Sequence, residues 1–264
     1  MNRNTFLFSM ILTLAPAARA YDSIRFLEPI KGDEMAKPVA AAASGDRLYV
    51  VDEKKNMLFL YDASGKLIKN VGRSGSQNGA FSGPRGVAVG PNGGGNVYVA
   101  DTGNHRVQIF DRDGNFLYAF GEKGTEPGRL RAPESVCVGA DGRIFVADTG
   151  NDRVQVFTQE GILLFQFGSS GKEPGRFKGP ARVSVDPSDN VYVLDRDNER
   201  VQKFDASVKF VREYSLLGND AAVDNFGFIY VLDGKNGKVI EQSGDGVILG
   251  RFGSYGSGVG QLKK

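Results

Sequence analysis

Paired acidic and basic residues recur along this chain, with an Asp five residues ahead of an Arg. A carboxylate can act as a catalytic acid or base, but a catalytic carboxylate has to occur only once. These pairs return in every well-formed copy of a longer repeat. We therefore expect them to be structural, tying a strand end or loop to an adjacent unit by a charge-assisted hydrogen bond. The pairs are Asp101 with Arg106, Asp148 with Arg153, and Asp195 with Arg200.

The chain has one histidine, His105, and one cysteine, Cys137. A single histidine excludes a multi-histidine zinc site, and it excludes a Ser-His-Asp triad unless His105 serves by itself. Asp152 and Glu199 occupy the position of His105 in other copies of the repeat, so we expect a loop residue there. Cys137 lies in the apolar segment Ser-Val-Cys-Val, where we expect a small core residue rather than a nucleophile.

Two further spacings resemble ligand sites but lack a required residue. The segment Gly168–Lys172 does not have the spacing of a phosphate-binding loop. Asp111, Asp113 and Asn115 lack the distal acidic ligand of a calcium loop, and a hairpin turn explains them better. The sequence therefore predicts no catalytic residue, no metal and no cofactor.

The elements that position these residues form a repeat of nearly constant length. Its marker aspartates are spaced by 49, 47, 47 and 38 residues. Each unit contains four short β-rich segments with apolar residues on both faces, as a sheet lying between neighbouring sheets would have. This pattern predicts an all-β chain of four-stranded β-propeller blades. The markers are Asp52, Asp101, Asp148, Asp195 and Asp233, in repeats near 38–72, 84–121, 133–168, 180–215 and 219–253.

The most regular repeat resembles a known motif. Asp-Thr-Gly-Asn-His-Arg-Val-Gln-Ile-Phe, residues 101–110, is similar to the NHL motif. The segments 120–133 and 167–180 resemble the Gly-rich linker of the same family. The resemblance implies a propeller, commonly six-bladed, that serves as a binding platform. It does not imply one particular activity.

The strand order predicts which loops share a face. The Asp-Thr-Gly-Asn connections should share one rim, the linker rim, with the long Gly-rich linkers. The tight turns, such as 111–115, should lie on the opposite, hairpin rim. On the linker rim we expect Arg85, Glu134 and Arg182 to border the central channel, with Arg129 and Arg176 added by the linkers. Such a rim could capture an anionic or hydroxyl-rich partner, or it could be an ordinary solvated surface.

The first twenty residues have the order of a secretory signal peptide: a basic start, an apolar stretch, and Ala18-Arg19-Ala20 at the cleavage position. Their removal would leave a domain of residues 21–264 with 31 basic and 31 acidic residues. A zero net charge does not favour nucleic-acid binding. No later segment is apolar enough for a transmembrane helix. We expect an exported protein, periplasmic or extracellular.

The ring of blades has five repeats and a spare strand at Ser23–Glu28. An open or truncated six-blade ring is favoured over a closed ring of five blades. An open ring would expose apolar blade faces and allow self-association through blade edges.

The predicted function is that of a non-enzymatic scaffold for a protein, peptide or glycan. The alternative is a metal-dependent hydrolase or lactonase of the gluconolactonase-like type. Its ligands would be Glu134, Asn104, Asn151 and Asn198.

Overall fold

Five antiparallel sheets of four strands each are the blades of a β-propeller. In every blade the strands pair in chain order, so the first strand and the fourth are the two edges. The computed structural model describes residues 35–91, 95–215, 220–224, 227–233, 235–256 and 261–262. The signal peptide and the spare strand inferred from the sequence lie outside the described residues.

Each blade occupies one stretch of the chain. Short 3₁₀ turns join the second and third strands in the middle blades, at Thr102–Asn104, Thr149–Asn151 and Arg196–Asn198. The first two blades contain β1 (Pro38–Ser44), β2 (Arg47–Asp52), β3 (Met57–Asp62), β4 (Leu67–Val71), β5 (Gly86–Val89), β6 (Val97–Asp101), β7 (Arg106–Phe110) and β8 (Phe116–Phe120). The third and fourth contain β9 (Ser135–Val138), β10 (Ile144–Asp148), β11 (Arg153–Phe157), β12 (Leu163–Phe167), β13 (Pro180–Val185), β14 (Val191–Asp195), β15 (Arg200–Phe204) and β16 (Phe210–Ser215). The fifth contains β17 (Asp220–Val223), β18 (Ile229–Asp233), β19 (Lys238–Gln242) and β20 (Ile248–Phe252), and β21 (Ser254–Tyr255) then pairs in parallel with β22 (Gln261–Leu262).

The core lies between the blades. In β10 the side chains of Ile144 and Val146 pack toward the second blade, while Phe145 and Ala147 pack toward the fourth. All four are buried. Burial on both faces explains why these strands are apolar throughout instead of alternating with polar residues.

Each of the three linkers that join the first four blades places one large apolar side chain against a glycine. Phe81, Leu130 and Phe177 are fully buried. A Cβ atom at Gly168 would lie 2.2 Å from the Phe177 ring, and the φ of Gly168 is +84°. Only glycine fits there, which accounts for the spacing between Phe-Gly and the later Phe or Leu of the linker.

The innermost strands β1, β5, β9, β13 and β17 pack against one another in that order. Among the described residues, no comparable packing joins the fifth blade back to the first. The face of the first blade that points away from the second is nevertheless buried, since Val50, Phe59 and Tyr61 expose at most 2% of their surface. The expectation of an exposed apolar face is therefore wrong for this blade, and self-association stays a prediction. No helix in the described part of the chain is long and apolar enough to cross a membrane.

Candidate functional site

The repeated Asp residues are buried centres of hydrogen bonding. Asp148 accepts from Arg153 Nε at 2.7 Å through one oxygen and from the backbone N–H of Arg131 at 2.6 Å through the other. Arg153 Nη2 donates onward to the carbonyl oxygens of Glu126 and Arg129 in the preceding linker. These carboxylates hold the linker to the blade, and both oxygens are engaged. The same Asp–Arg contact joins Asp101 to Arg106 and Asp195 to Arg200.

His105 lies in a loop and caps the next linker. It has a left-handed backbone, with φ of 57°, and its Nδ1 accepts from the backbone N–H of Ala132 at 2.9 Å. Asp152 accepts from Gly179 N in the equivalent place, at 2.8 Å. Burial lowers the pKa of His105, and the nearby cations Lys123 and Arg131 lower it further. A neutral imidazole that accepts through Nδ1 is therefore part of the loop structure.

Cys137 lies in β9 and packs against the core between the third and fourth blades. Burial raises the pKa of its thiol to about 11. A thiol with this pKa stays protonated at neutral pH and is a poor nucleophile.

A cavity of about 180 Å³ opens where the innermost strands meet on the linker rim. We call it the channel mouth. It contains the three residues that the sequence places beside the channel, Arg85, Glu134 and Arg182. The rest of its lining consists of Lys37, Val39, Glu53, Ala181, Arg196 and Asp220.

A chain of ion pairs runs around the mouth from the first blade to the fourth. Lys37 contacts Glu53, whose other oxygen accepts from Arg85 at 2.7 Å. Arg85 also reaches Glu134 at 3.1 Å, and the second oxygen of Glu134 accepts from Arg196 at 2.8 Å.

The pKa of the acid in the first blade reflects two opposing effects. Burial alone would raise the pKa of Glu53, but hydrogen bonds from Lys37 and Arg85 outweigh burial and lower it. The carboxylate of Glu53 therefore remains ionised at neutral pH.

Arg182 crosses the channel beneath these pairs. Its guanidinium binds both oxygens of Asp220 in the fifth blade, at 3.2 and 3.3 Å. It also donates to the carbonyl oxygens of Val39 in the first blade, at 3.2 Å, and Glu134 in the third, at 3.5 Å. Arg182 thus joins its own blade to three others and forms the floor of the mouth.

Arg182 is the second residue after Pro180, whereas Arg85 and Glu134 directly follow Pro84 and Pro133. It pairs with Leu194 after an irregularity at the start of β13, and Gly86 and Ser135 hold the corresponding register in their blades. Arg182 is therefore not equivalent to Arg85 and Glu134, which each lie one residue earlier in the repeat. It reaches the same cavity because its side chain is long.

Sequence reasoning missed Glu53 and Arg196, although the repeat contained a signal for both. Each follows a marker Asp directly. Thr102 and Thr149 occupy this position in the second and third blades, and their hydroxyls donate at 2.7 Å to Pro133 O and Pro180 O of the next blade. In the first and fourth blades a charged residue replaces this Thr, and its side chain lines the mouth. Lys37 and Asp220 had no such signal.

Arg129 and Arg176 do not join the channel mouth. They lie on the outer part of the linkers, where Arg129 pairs with Glu122 at 3.0 Å and Arg176 with Glu173 at 3.6 Å. All four side chains are exposed. Neither lines the cavity, and ligand binding by these two linker residues stays a prediction.

Comparison with protein families agrees with this architecture. An NHL-repeat model matches residues 81–110, and a six-bladed β-propeller model matches residues 129–242. This chain is an NHL-repeat β-propeller. No curated protein matches its sequence.

Solved structures similar to this NHL propeller share its fold at low identity. Virginiamycin B lyase from Staphylococcus aureus is 13% identical, with a TM-score of 0.61 over 82% of this chain and 69% of the lyase. A catalytically inactive His-to-Ala variant of that lyase, with quinupristin, is 15% identical, with a TM-score of 0.57 over 86% and 72%. Hydrazine synthase from Kuenenia stuttgartiensis is 17% identical, with a TM-score of 0.58 over 86% and 60%.

The ligand set of the lactonase alternative is not assembled in this NHL propeller. The side-chain amides of Asn104, Asn151 and Asn198 donate to linker carbonyls and to the marker Asp of their own blades. None of them lines the cavity that contains Glu134. Across the described residues, no group of three or more His, Cys, Asp or Glu side chains is placed to hold a metal ion.

Proposed function

We propose that this propeller is an exported, non-enzymatic binding module that receives a protein, peptide or glycan partner on its linker rim. The observation that carries the proposal is the channel mouth, to which all five blades contribute a charged side chain. Such a site exists only when the blades are assembled, and the residues that form it differ from blade to blade at equivalent positions of the repeat. Loops held by a rigid scaffold commonly carry recognition residues.

The state of the polar groups supports binding over catalysis. A general base needs a carboxylate or imidazole within reach of a substrate proton. Here Glu53 and Glu134 have both oxygens on cations, and His105 holds a backbone N–H. The similar lyase loses activity when one histidine is replaced. The only histidine of this chain lies in a loop outside the mouth cavity.

Export is part of the proposal and rests on residues 1–20. Their basic, apolar and small-residue segments follow the order of a cleaved signal. N-terminal sequencing of the protein from its native source should find a start at or near Tyr21. Retention of Met1 on the protein would contradict export by this route.

The test of partner binding compares the two rims. The mature chain is used as bait in the native exported fraction, beside a Lys37→Ala/Arg196→Ala variant and an Asp113→Ala/Asn115→Ala variant of the hairpin rim. In the first variant Glu53 and Glu134 each keep Arg85 as a partner, so the melting temperature should stay close to that of the wild type. We expect the linker-rim variant to lose the partner and the hairpin-rim variant to retain it. The reverse result would show that the rim is misassigned.

A further inference from the structure

The channel mouth has an unbalanced set of charges. Four cationic side chains, Lys37, Arg85, Arg182 and Arg196, face three carboxylates, Glu53, Glu134 and Asp220. Asp197 also pairs with Arg196, at 3.4 Å, but it lies outside the cavity lining. Among the lining residues, the difference of four and three leaves one positive charge on a concave surface. Such a surface attracts a negatively charged ligand.

The hydrogen-bond donors of the mouth are unevenly used. Arg85 directs Nε, Nη1 and Nη2 to carboxylates, and Arg182 is engaged through Nε, Nη1 and Nη2. Arg196 uses Nη1 on Glu134 and Nε on Asp197, at 3.4 Å, and its Nη2 has no partner among the described residues. Lys37 contacts Glu53 and has three N–H groups in all. The unused donors therefore belong to Arg196 and Lys37.

These two residues are also accessible from solvent. The side chain of Arg196 is 39% exposed and that of Lys37 is 56% exposed, whereas Glu134 is 12% exposed. They come from the fourth blade and the first, and Arg182 connects those blades below them by its bond to Val39 O. A ligand entering from the linker rim meets donors on two sides and a guanidinium beneath.

The acceptors of the mouth are already occupied. Each oxygen of Glu53 and Glu134 binds a cation, and Asp220 binds Arg182 through both oxygens. A metal cation or a ligand rich in hydroxyl donors would have to break these ion pairs. An anion would leave them intact, because it needs donors and not acceptors. The cavity of about 180 Å³ has room for a small anionic group.

We infer that the channel mouth binds one monocarboxylate group, held by Arg196 and Lys37 above Arg182; the inference deepens the proposed binding function. A single carboxylate neutralises the surplus charge, and a planar guanidinium matches its two oxygens. A phosphate dianion would bring a second charge that no cation of the mouth balances. The carboxylate comes either from a free small acid or from the C-terminus of a peptide.

The experiment is calorimetric titration of the mature wild-type chain with defined probes. The probes are lactate, an N-acetylated dipeptide with a free carboxylate, the same dipeptide as its amide, and inorganic phosphate, each to about 10 mM. Binding of lactate as strong as that of the dipeptide acid indicates a free acid, and stronger binding of the dipeptide acid indicates a peptide end. We expect the amide not to bind and phosphate to bind more weakly than the carboxylates.

A matched pair of variants locates the site. Arg196→Ala should weaken carboxylate binding at least tenfold. Arg212→Ala should leave it unchanged, because Arg212 is similarly exposed, at 44%, but pairs with Asp245 on the hairpin rim. Equal binding of acid and amide, stronger binding of phosphate, no binding of either carboxylate, or no effect of Arg196→Ala would each overturn the inference.

Failure of the carboxylate site and failure of the proposed binding module would give different results. A partner that is lost in the Lys37→Ala/Arg196→Ala bait, together with no carboxylate binding, would leave the binding module standing and refute the carboxylate site. Carboxylate binding without any partner that depends on the linker rim would refute the scaffold and retain the site.

Discussion

At the scale of single residues, the chain uses one loop position for the same purpose in successive blades. Asn56, His105 and Asp152 all have a left-handed backbone, and each accepts a backbone N–H from the linker that follows. The sequence places His105 correctly in a loop because aligned copies have other polar residues there. It does not reveal the acceptor role, which depends on how the next linker folds back.

The acceptor role of His105 makes stability depend on pH. The folded pKa of His105 lies below its ordinary value of 6.5, so the folded state binds the proton less readily than the unfolded state. The stabilisation is complete above the ordinary pKa and is lost as pH falls through the lowered one. His105→Asn keeps an acceptor and suits the left-handed backbone, as Asn56 does. In urea unfolding at about pH 7.5 and pH 5, we expect the wild type to lose more stability than the variant. Equal losses would refute the acceptor role.

Loss of a buried Asp–Arg pair should lower the free energy of unfolding more than loss of an exposed ion pair. Arg153→Ala removes four hydrogen bonds and leaves Asp148 buried without its cation, which should cost about 1–3 kcal/mol of unfolding free energy. Arg176→Ala removes an exposed pair and should cost less than about 0.5 kcal/mol. Chemical denaturation of both variants checks the contrast. A loss of partner affinity in Arg153→Ala at unchanged stability would mean that its role is misassigned.

At the scale of elements, the strand positions follow from the sequence because every segment has apolar residues on both faces and ends at a turn. The reach of Arg182 into the channel could not be predicted from its place in the repeat. Ala181 follows Pro180 as Arg85 follows Pro84, so Arg182 takes the position of Gly86 and pairs with Leu194. Which side chains of an innermost strand reach the channel therefore depends on side-chain length as well as on repeat position.

The close packing of neighbouring innermost strands can be tested at Gly86. A Cβ atom at Gly86 in β5 would lie 2.8 Å from Glu134 O and 2.9 Å from Ser135 Cα. Gly86→Ala should therefore destabilise the fold by about 1–3 kcal/mol, since backbone must move to make room. Gly250→Ala in the outermost strand β20 is the control, because its nearest contact is Glu241 Oε2 at 3.8 Å. Thermal melts of the two variants compare them directly, and equal melting temperatures would contradict the packing described here.

At the scale of the whole molecule, the sequence predicts the repeat architecture and the rim that holds Arg85, Glu134 and Arg182. The network around them could not be derived from the sequence, because it joins residues up to 143 positions apart across the channel. The charge presented by the linker rim cannot be judged from a count of lysines and arginines. Arg129 and Arg176 pair with neighbouring Glu residues, and Arg85 and Arg196 pair with the acids of the mouth.

An exposed apolar patch on the fifth blade predicts self-association of the chain. Val247, Ile248 and Leu249 are three consecutive exposed aliphatic residues at the outermost strand of the fifth blade. A patch of this kind at a strand edge favours contact with a second copy. Light scattering of the mature chain should detect a species larger than a monomer, and Leu249→Lys should reduce it. A monomer at all concentrations would contradict the prediction.

The most direct measurement of the central claim is hydrogen–deuterium exchange of the mature chain with and without the partner recovered from the exported fraction. We expect slower exchange on binding in the linkers that surround the channel mouth, residues 72–85, 121–134 and 168–182. The hairpins of the opposite rim, residues 111–115, 140–143 and 186–190, should exchange at unchanged rates. Protection of the hairpins with unchanged linkers would contradict the claim that the linker rim is the binding face.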